Sequence, residues 1–297
     1  MSLPKHVLDL LEPLHDTSAT FTRSGDLISA SESTSARQRY LYKTAGSDST
    51  QLVGEAESLR AINAACADVA PRLLGSGTDE QGRSWMLSEW HDLSAIPAAE
   101  QARLAELVAK MHLAPAPDGQ RFGFSVPTCC GATQQENAEM DSWAGFYGER
   151  RIGDLARRIG DPELLRLAQE VRQRVIPELL GRLDVKPSIL HGDLWSGNAR
   201  FSNDRHAPIT FDPSSYYGHS EADLGITRMF GGFAPAFYET YHSLVPRSEP
   251  VEQYEQRLQL YEAYHHLNHM LMFGRSYKSG AVRLLEALVR WAEEQGL

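Results

Sequence analysis

The sequence predicts an α+β fold of two lobes, a small N-terminal lobe of antiparallel sheet with one helix and a larger, mainly helical C-terminal lobe. Three observations carry this expectation. Five short strand-like runs and one helix occupy the first 90 residues, a Pro-containing connector spans 91–97, and helical periodicity dominates beyond it. The expected division is 1–90 and 91–297.

Taken in order, Val7, Leu8, Leu10, Leu11 and Leu14 recur at helical spacing and predict a short leading helix. The stretch 21–35 has little helical period and many small polar residues; with the aromatic run RYLYK at 39–43 it reads as hairpin strands. Residues 51–65 form a helix with Leu52, Ala56, Leu59, Ile62 and Asn63 on or near one face. Two strands, 72–77 and 84–90, flank the polar turn TDEQG. After the connector, Leu104, Leu107, Val108 and Met111 mark an amphipathic helix over 98–113. The segment 114–137 breaks the pattern with Pro115, Pro117, Gly119, Gly123, Pro127 and Gly131, and a connection this long inside a compact domain is commonly functional. Long helices are expected at 140–159 and 161–182, the second capped by Asp161 with Pro162 at its first position. A strand SIL follows, and 221–229, 235–241, 251–273 and 281–294 read as helical.

The totals bound the function. A chain of 297 residues, 42% hydrophobic and 23% charged, can bury a sizeable core. Its net charge of −10 disfavours nucleic acid and anionic membrane, so any phosphate site must be locally basic or built on a metal. No apolar run approaches the ~18 residues that span a bilayer, and MSLPKHVLDLLEPL lacks a basic head followed by an uncharged core. Cys66, Cys129 and Cys130 make neither a disulfide framework nor a zinc spacing. A cytoplasmic protein, with a monomer favoured, is expected.

The chemistry concentrates at 189–198, ILHGDLWSGN, and at ITFDP ending a second strand. Asp193 and Asn198 stand five positions apart, and Asp212 lies nineteen beyond Asp193. Phosphoryl transfer needs a group to accept or orient a hydroxyl proton and oxygen ligands to hold Mg²⁺ against the nucleotide phosphates. His191, Asp193 and Asn198 fit the kinase pattern His-x-Asp-x4-Asn position for position, and Asp212 stands where that pattern has its metal-binding aspartate, with Pro213 and Ser214 replacing Phe-Gly. A lone Asp or Asn in a Gly-containing loop is usually a turn former; their conjunction with two strand ends points to chemistry instead. Lys43 closes its strand and would hold the ATP phosphates, with Glu55 as its carboxylate partner and Glu57 the competitor. Gly25 is the single glycine of the candidate phosphate-covering turn, with Ser24, Ser29 and Ser31 as possible substitutes. Asp223, at a helix start, is expected to hydrogen-bond the catalytic loop and, with His191, to hold its shape. His265, His266 and His269 include two residues four apart, but no third ligand at a convincing spacing, so core or surface roles are preferred.

HGDLWSGN followed by FDPSSYYGHSEADLG and MFGGF, together with FGFSVPTCCGATQQEN and GEAESLRAI, closely resembles the fructosamine kinases, or ketosamine 3-kinases, an aminoglycoside-phosphotransferase-like branch of the protein-kinase-like fold. The resemblance covers nearly the whole chain. It implies ATP- and Mg²⁺-dependent phosphorylation of the C3 hydroxyl of a fructosamine, ribulosamine or erythrulosamine, free or protein-bound, after which the unstable phosphate decomposes and releases the amine. It also implies roles. Asp193 would act on the sugar hydroxyl and Asn198 and Asp212 would bind Mg²⁺. Met86 to Trp90 would line the adenine pocket, with backbone groups of Glu89, Trp90 and His91 as the hinge. Trp195 would wall the sugar, and His219 and Glu221 would contact the ketosamine. The turn SGDLIS has fewer glycines than is usual in the family; Leu27 stands where some members carry a redox-sensitive cysteine, and Gln134 where proline is common. The alternatives are a kinase of another small hydroxylated molecule (aminoglycoside, choline or sugar) and a nucleotide-binding pseudokinase scaffold. The region after Asp212 lacks the Ala-Pro-Glu signature of protein kinases.

Overall fold

The computed structural model describes residues 3–32 and 38–297, so the 33–35 end of the first hairpin region lies outside the described residues. Helix α1 (Lys5–Leu11) runs into a short 3-10 turn, Glu12–Leu14, and together they match the predicted leading helix. Strands β1 (Thr20–Ser24), β2 (Leu27–Ser31) and β3 (Gln38–Ala45) precede helix α2 (Thr50–Ala65), and β4 (Leu73–Thr78) and β5 (Ser84–Glu89) follow it. They form one antiparallel sheet in the order β1-β2-β3-β5-β4.

Side-chain alternation decides what each sheet face does. Tyr40 and Tyr42 point to one face with Ile28, Ala30 and Leu87, where Val7 and Leu11 of α1 cover them. Lys43 pairs across the sheet with Met86 on the opposite face, where Met86 joins Leu52, Ala56 and Leu59 of α2 in the main core. The strand period therefore delivers Lys43 to the side of the sheet that α2 and the cleft share.

The connector is a paired segment. Within it β6 (Leu93–Ser94) adds to a hairpin of the second lobe, introduced below, and Asn203 donates its backbone N–H to the Asp92 carbonyl at 2.8 Å. Helix α3 (Gln101–Leu113) then enters the C-terminal core. The segment 114–137 is more ordered than its Pro and Gly content suggests: β7 (Thr128–Cys130) and β8 (Thr133–Gln135) make a small hairpin inside it. Arg151, fully buried, explains the order. Its guanidinium donates to the Asn137 side chain at 2.7 Å and the Glu136 carbonyl at 2.9 Å, and lies 4.1 Å from the Tyr216 ring centre.

The two long helices expected at 140–159 and 161–182 are each interrupted by a π-helical turn. Helix α4 (Trp143–Tyr147) passes through Gly148–Gly153 into α5 (Asp154–Ile159), and α6 (Pro162–Glu170) through Val171–Val175 into α7 (Ile176–Leu179). Asp161 caps α6 as predicted, accepting from Glu163 and Leu164 backbone N–H. Strand β9 (Ser188–Ile189), the hairpin β10 (Ala199–Ser202) and β11 (Ala207–Thr210), and β12 (Tyr217–Gly218) frame the catalytic-loop motif. Helices α8 (Ala222–Met229), α9 (Pro235–Leu244), α10 (Tyr254–Phe273) and α11 (Lys278–Glu294) complete the lobe. Among the described residues no helix is long and apolar enough to cross a membrane.

Candidate active site

A cleft of about 290 Å³ between the lobes is lined by Lys43, Gln51, Glu55, Cys129, Gly131, Asp193, Trp195, Asn198, Asp212 and Pro213. Two lobes and four separate sequence regions meet there. Larger cavities lie elsewhere on the second lobe, but none holds this set of ionisable groups.

The catalytic loop is held from beneath. Asp223, buried at the start of α8, accepts from the backbone N–H of His191 at 2.7 Å and of Gly192 at 2.8 Å. Gly192 has φ +81°, and a Cβ there would meet the Ser214 carbonyl oxygen at 2.1 Å, so only glycine fits this turn. The Asp193 backbone N–H lies 3.3 Å from His191 Nδ1, making Nδ1 the acceptor and leaving Nε2–H to donate to the Phe211 carbonyl at 3.1 Å. Burial keeps His191 neutral, pushing its pKa down. His112 of α3, absent from the sequence reading, hydrogen-bonds Asp223 at 3.0 Å and Tyr241 at 2.7 Å. Burial works to raise the Asp223 pKa, yet the bonds from His112 and Gly192 hold it below the usual carboxylate value.

Above this support, Asn198 donates its side-chain amide to the Asp193 carboxylate and to the Asp193 carbonyl, both at 3.0 Å. That leaves the Asn198 side-chain oxygen for another partner. Asp212 follows β11, adopts the left-handed region at φ +53°, and has a side chain 58% exposed to the cleft. Asn198 and Phe211 face one another across the base of the β10–β11 hairpin, joined by a 3.0 Å backbone bond, so Asn198 and Asp212 share one rigid support. Two hard oxygen donors open to one cleft suit Mg²⁺, which takes oxygen ligands.

Lys43 Nζ donates to both Glu55 oxygens at 2.8 and 3.0 Å and stands 3.5 Å from Asp212. Burial works to lower the Lys43 pKa, but the charge and hydrogen bond of Glu55, with Asp212, raise it above its ordinary value. The ammonium is thus fixed and charged. Glu57 is engaged with Arg60 instead. Burial pushes Asp193 up to about 6, against hydrogen bonds from the Cys130 thiol and Asn198 that favour its charged form.

Other expected residues are placed as follows. Gly25, at φ +61°, turns the β1–β2 hairpin with open space around it. Met86 is fully buried opposite Lys43. Trp90 stacks under the Arg39 guanidinium, 3.7 Å from the ring centre, and its backbone N–H goes to the Arg39 carbonyl. Burial works to raise the Glu89 pKa, but His91, the Arg72 N–H and Arg205 outweigh it and hold the carboxyl down at about 2; the His91 ring also meets the Ser202 hydroxyl at 3.1 Å. The side chains of Glu89 and His91 therefore tie the connector to the β10–β11 hairpin and are not free for a nucleotide. Trp195 lines the cleft over Gly197, where a Cβ would meet the indole at 2.1 Å, and packs against Phe230 with ring centres 5.4 Å apart.

His219 and Glu221 need correction. Both are buried away from the cleft. Glu221 accepts from Arg257 at 2.7 and 3.1 Å, and His219 is bonded to Tyr261 and Ser248 at 2.8 Å each. The reason is electrostatic: Arg257 is fully buried and requires a carboxylate beside it. Residues of the cleft that sequence reasoning did not assign to it are Gln51, Cys129, Gly131 and Pro213, and Cys130 against Asp193; the segment 114–137 signals only Cys129, Cys130 and Gly131.

Comparison with known proteins agrees with this architecture. The fructosamine kinase family model matches residues 8–291. Ketosamine-3-kinase of Mus musculus is 42% identical over 172 residues, 57% of this chain and 54% of that protein, so that match spans about half the mouse protein's length. The chloroplastic protein-ribulosamine 3-kinase of Arabidopsis thaliana is 35% identical over 241 residues, 80% of this chain and 72% of that one. Among solved structures, a candidate fructosamine-3-kinase from Thermobifida fusca superposes with a TM-score of 0.75 at 24% identity, covering 92% of this chain and 94% of that chain. The two-lobed, kinase-like fold expected from the sequence is the fold found, and the chain belongs to the fructosamine kinase family.

Proposed function

We propose that the protein transfers the γ-phosphoryl group of Mg²⁺·ATP to the C3 hydroxyl of a ketosamine, leading to release of the amine. The observation that carries this reading is the convergence of Asp193, Asn198, Asp212 and the Lys43–Glu55 pair on one cleft, in a chain of this family. Asp193 receives or orients the proton of the sugar hydroxyl. Asn198 and Asp212 hold the metal, and Lys43, oriented by Glu55, holds the nucleotide phosphates. Bound Mg²⁺·ATP supplies the phosphoryl group and offsets the charge that develops on it. Trp195 presents an apolar wall to the sugar ring. Three thiols outside any disulfide fit a reducing, cytoplasmic setting.

The test is a panel of ketosamines, aminoglycosides, choline and plain sugars assayed with ATP and Mg²⁺. Turnover is expected on ketosamines; faster turnover on another class would reassign the acceptor, and none on any would leave a nucleotide-binding scaffold. Asp212→Ala should lose nucleotide-dependent thermal stabilisation, and an unchanged nucleotide shift would put the metal elsewhere.

A pH dependence follows from Asp193. Its carboxylate must be ionised to take a proton, so activity falls as pH drops through its pKa. That acid limb is expected at or below about 6, because bound Mg²⁺ pulls downward a value that burial has raised. A kcat/KM that rises on acidification through this range would exclude Asp193 as the base.

A further inference from the structure

Cys130, Asp193 and His265 come from three separate elements: the end of β7, the catalytic loop and the middle of α10. A sulfur of the first, a carboxylate oxygen of the second and a ring nitrogen of the third all lie within 4.8 Å of one another. From these observations we infer a binding site for a borderline-soft divalent cation, Zn²⁺ above all, whose occupation captures the Asp193 carboxylate.

The donor types set the metal. A thiolate, an imidazole and a carboxylate suit Zn²⁺ and do not suit Mg²⁺, which takes oxygen ligands in octahedral array. The site is therefore chemically distinct from the oxygen pair Asn198 and Asp212, although it borders it. Ligand bonds of ~2.0–2.3 Å require the three donors to close by about 1 Å. The hairpin and helix are already joined at this point, since Asn268, one turn after His265 on α10, donates to the Cys130 carbonyl at 3.2 Å.

A second observation points to a ligand. His265 is only 4% exposed, and its Nδ1 has no hydrogen-bond partner among the described residues. Nothing in the phosphotransfer reading uses this ring. Burial also keeps it unprotonated, pushing its pKa down to about 3, the form that ligates a metal. The pair His265 and His269, four apart on the helix, does not form the site: His269 Nδ1 faces the His265 carbonyl at 2.7 Å. The missing third ligand comes from the distant hairpin.

Burial and the neighbouring Asp193 carboxylate push the Cys130 thiol pKa up, so its deprotonation is driven by the metal: on binding, the thiol loses its proton to solvent, the sulfur takes the metal, and hydration water leaves the cation, with no oxidant or reductant involved. The expected consequence is inhibition, since a metal-bound Asp193 cannot accept the sugar hydroxyl proton. Binding stands apart from the kinase assignment, whereas inhibition rests on it.

The experiment uses the full chain with Co²⁺ as spectroscopic probe and Zn²⁺ as competitor, in excess Mg²⁺. The wild type should show a thiolate-to-cobalt charge-transfer band, one Co²⁺ per chain, displaced by Zn²⁺. Cys130→Ala should abolish the band, His265→Leu should weaken Co²⁺ binding by about tenfold or more, and Cys129→Ala should change neither. Absence of a band in the wild type overturns the proposal, as does its persistence in Cys130→Ala or its loss in Cys129→Ala alone. If Cys130→Ala does not fold, the other two variants decide. Should wild-type phosphotransfer be inhibited by Zn²⁺ with equal potency in His265→Leu, the ion acts at the Mg²⁺ ligands and the proposed site falls.

Discussion

Replacing Asp193 by asparagine is expected to lower ketosamine turnover by roughly two to four orders of magnitude while leaving the fold intact. Asparagine keeps the shape and an oxygen that can accept from the Asn198 amide, now 3.0 Å from the carboxylate. It cannot take a proton. The stability of the same variant gives an independent check. Burial raises the Asp193 pKa to about 6, so at neutral pH its charged form opposes folding; this cost fades as pH falls through about 6 and is gone below the ordinary value of 3.8. The neutral side chain should therefore melt at the same temperature as the wild type or higher at pH 7, with the nucleotide-induced shift retained. Near-normal turnover would remove Asp193 from the chemistry, and a collapse in melting temperature would show that the loop needs the charge to fold.

Glu221→Ala should act in the opposite way. Arg257 is fully buried and its guanidinium is satisfied by the Glu221 carboxylate and the Ser248 and Pro250 carbonyls. Removing one partner of a buried pair leaves the other charge uncompensated, at a cost of about 3–5 kcal/mol. The melting temperature should drop by on the order of 5–10 °C. The KM for ketosamine should change little in the fraction that remains folded, because Glu221 does not reach the cleft. Replacing both partners, Glu221→Leu with Arg257→Met, should recover part of the loss. A raised KM with unchanged melting would restore Glu221 to the acceptor site.

These two residues also mark where sequence reading works and where it stops. Asp193, Asn198 and Asp212 were legible because they lie at strand ends in one continuous segment, and local geometry carries them to a common point. Lys43 and Glu55 were legible for a related reason: strand alternation and one helix suffice to bring them together. Glu221 misled because a carboxylate at a helix start reads the same whether it faces solvent, substrate or a buried arginine. Its partner sits 36 positions later, on a helix whose apolar residues gave no hint of an inward guanidinium. His112 and Cys130 were hidden by the same distance in sequence, and the π-helical turns at Gly148–Gly153 and Val171–Val175 leave the apolar spacing too little altered to be seen.

The β10–β11 hairpin does more than carry Asn198 and Asp212 at its base. Its first strand, β10, pairs with β6, and its turn is tied to the connector through Arg205 and Glu89, Ser202 and His91, and Asn203 and Asp92. Floor and hinge are thus one mechanical piece. The first lobe is tied to the same hairpin: Thr210 donates its backbone N–H to the Val69 carbonyl at 2.7 Å, and Arg205 reaches the Asp68 and Ala70 carbonyls. The 3.5 Å spacing of Lys43 from Asp212 therefore depends on contacts made at the far side of the hairpin, by residues that touch neither group.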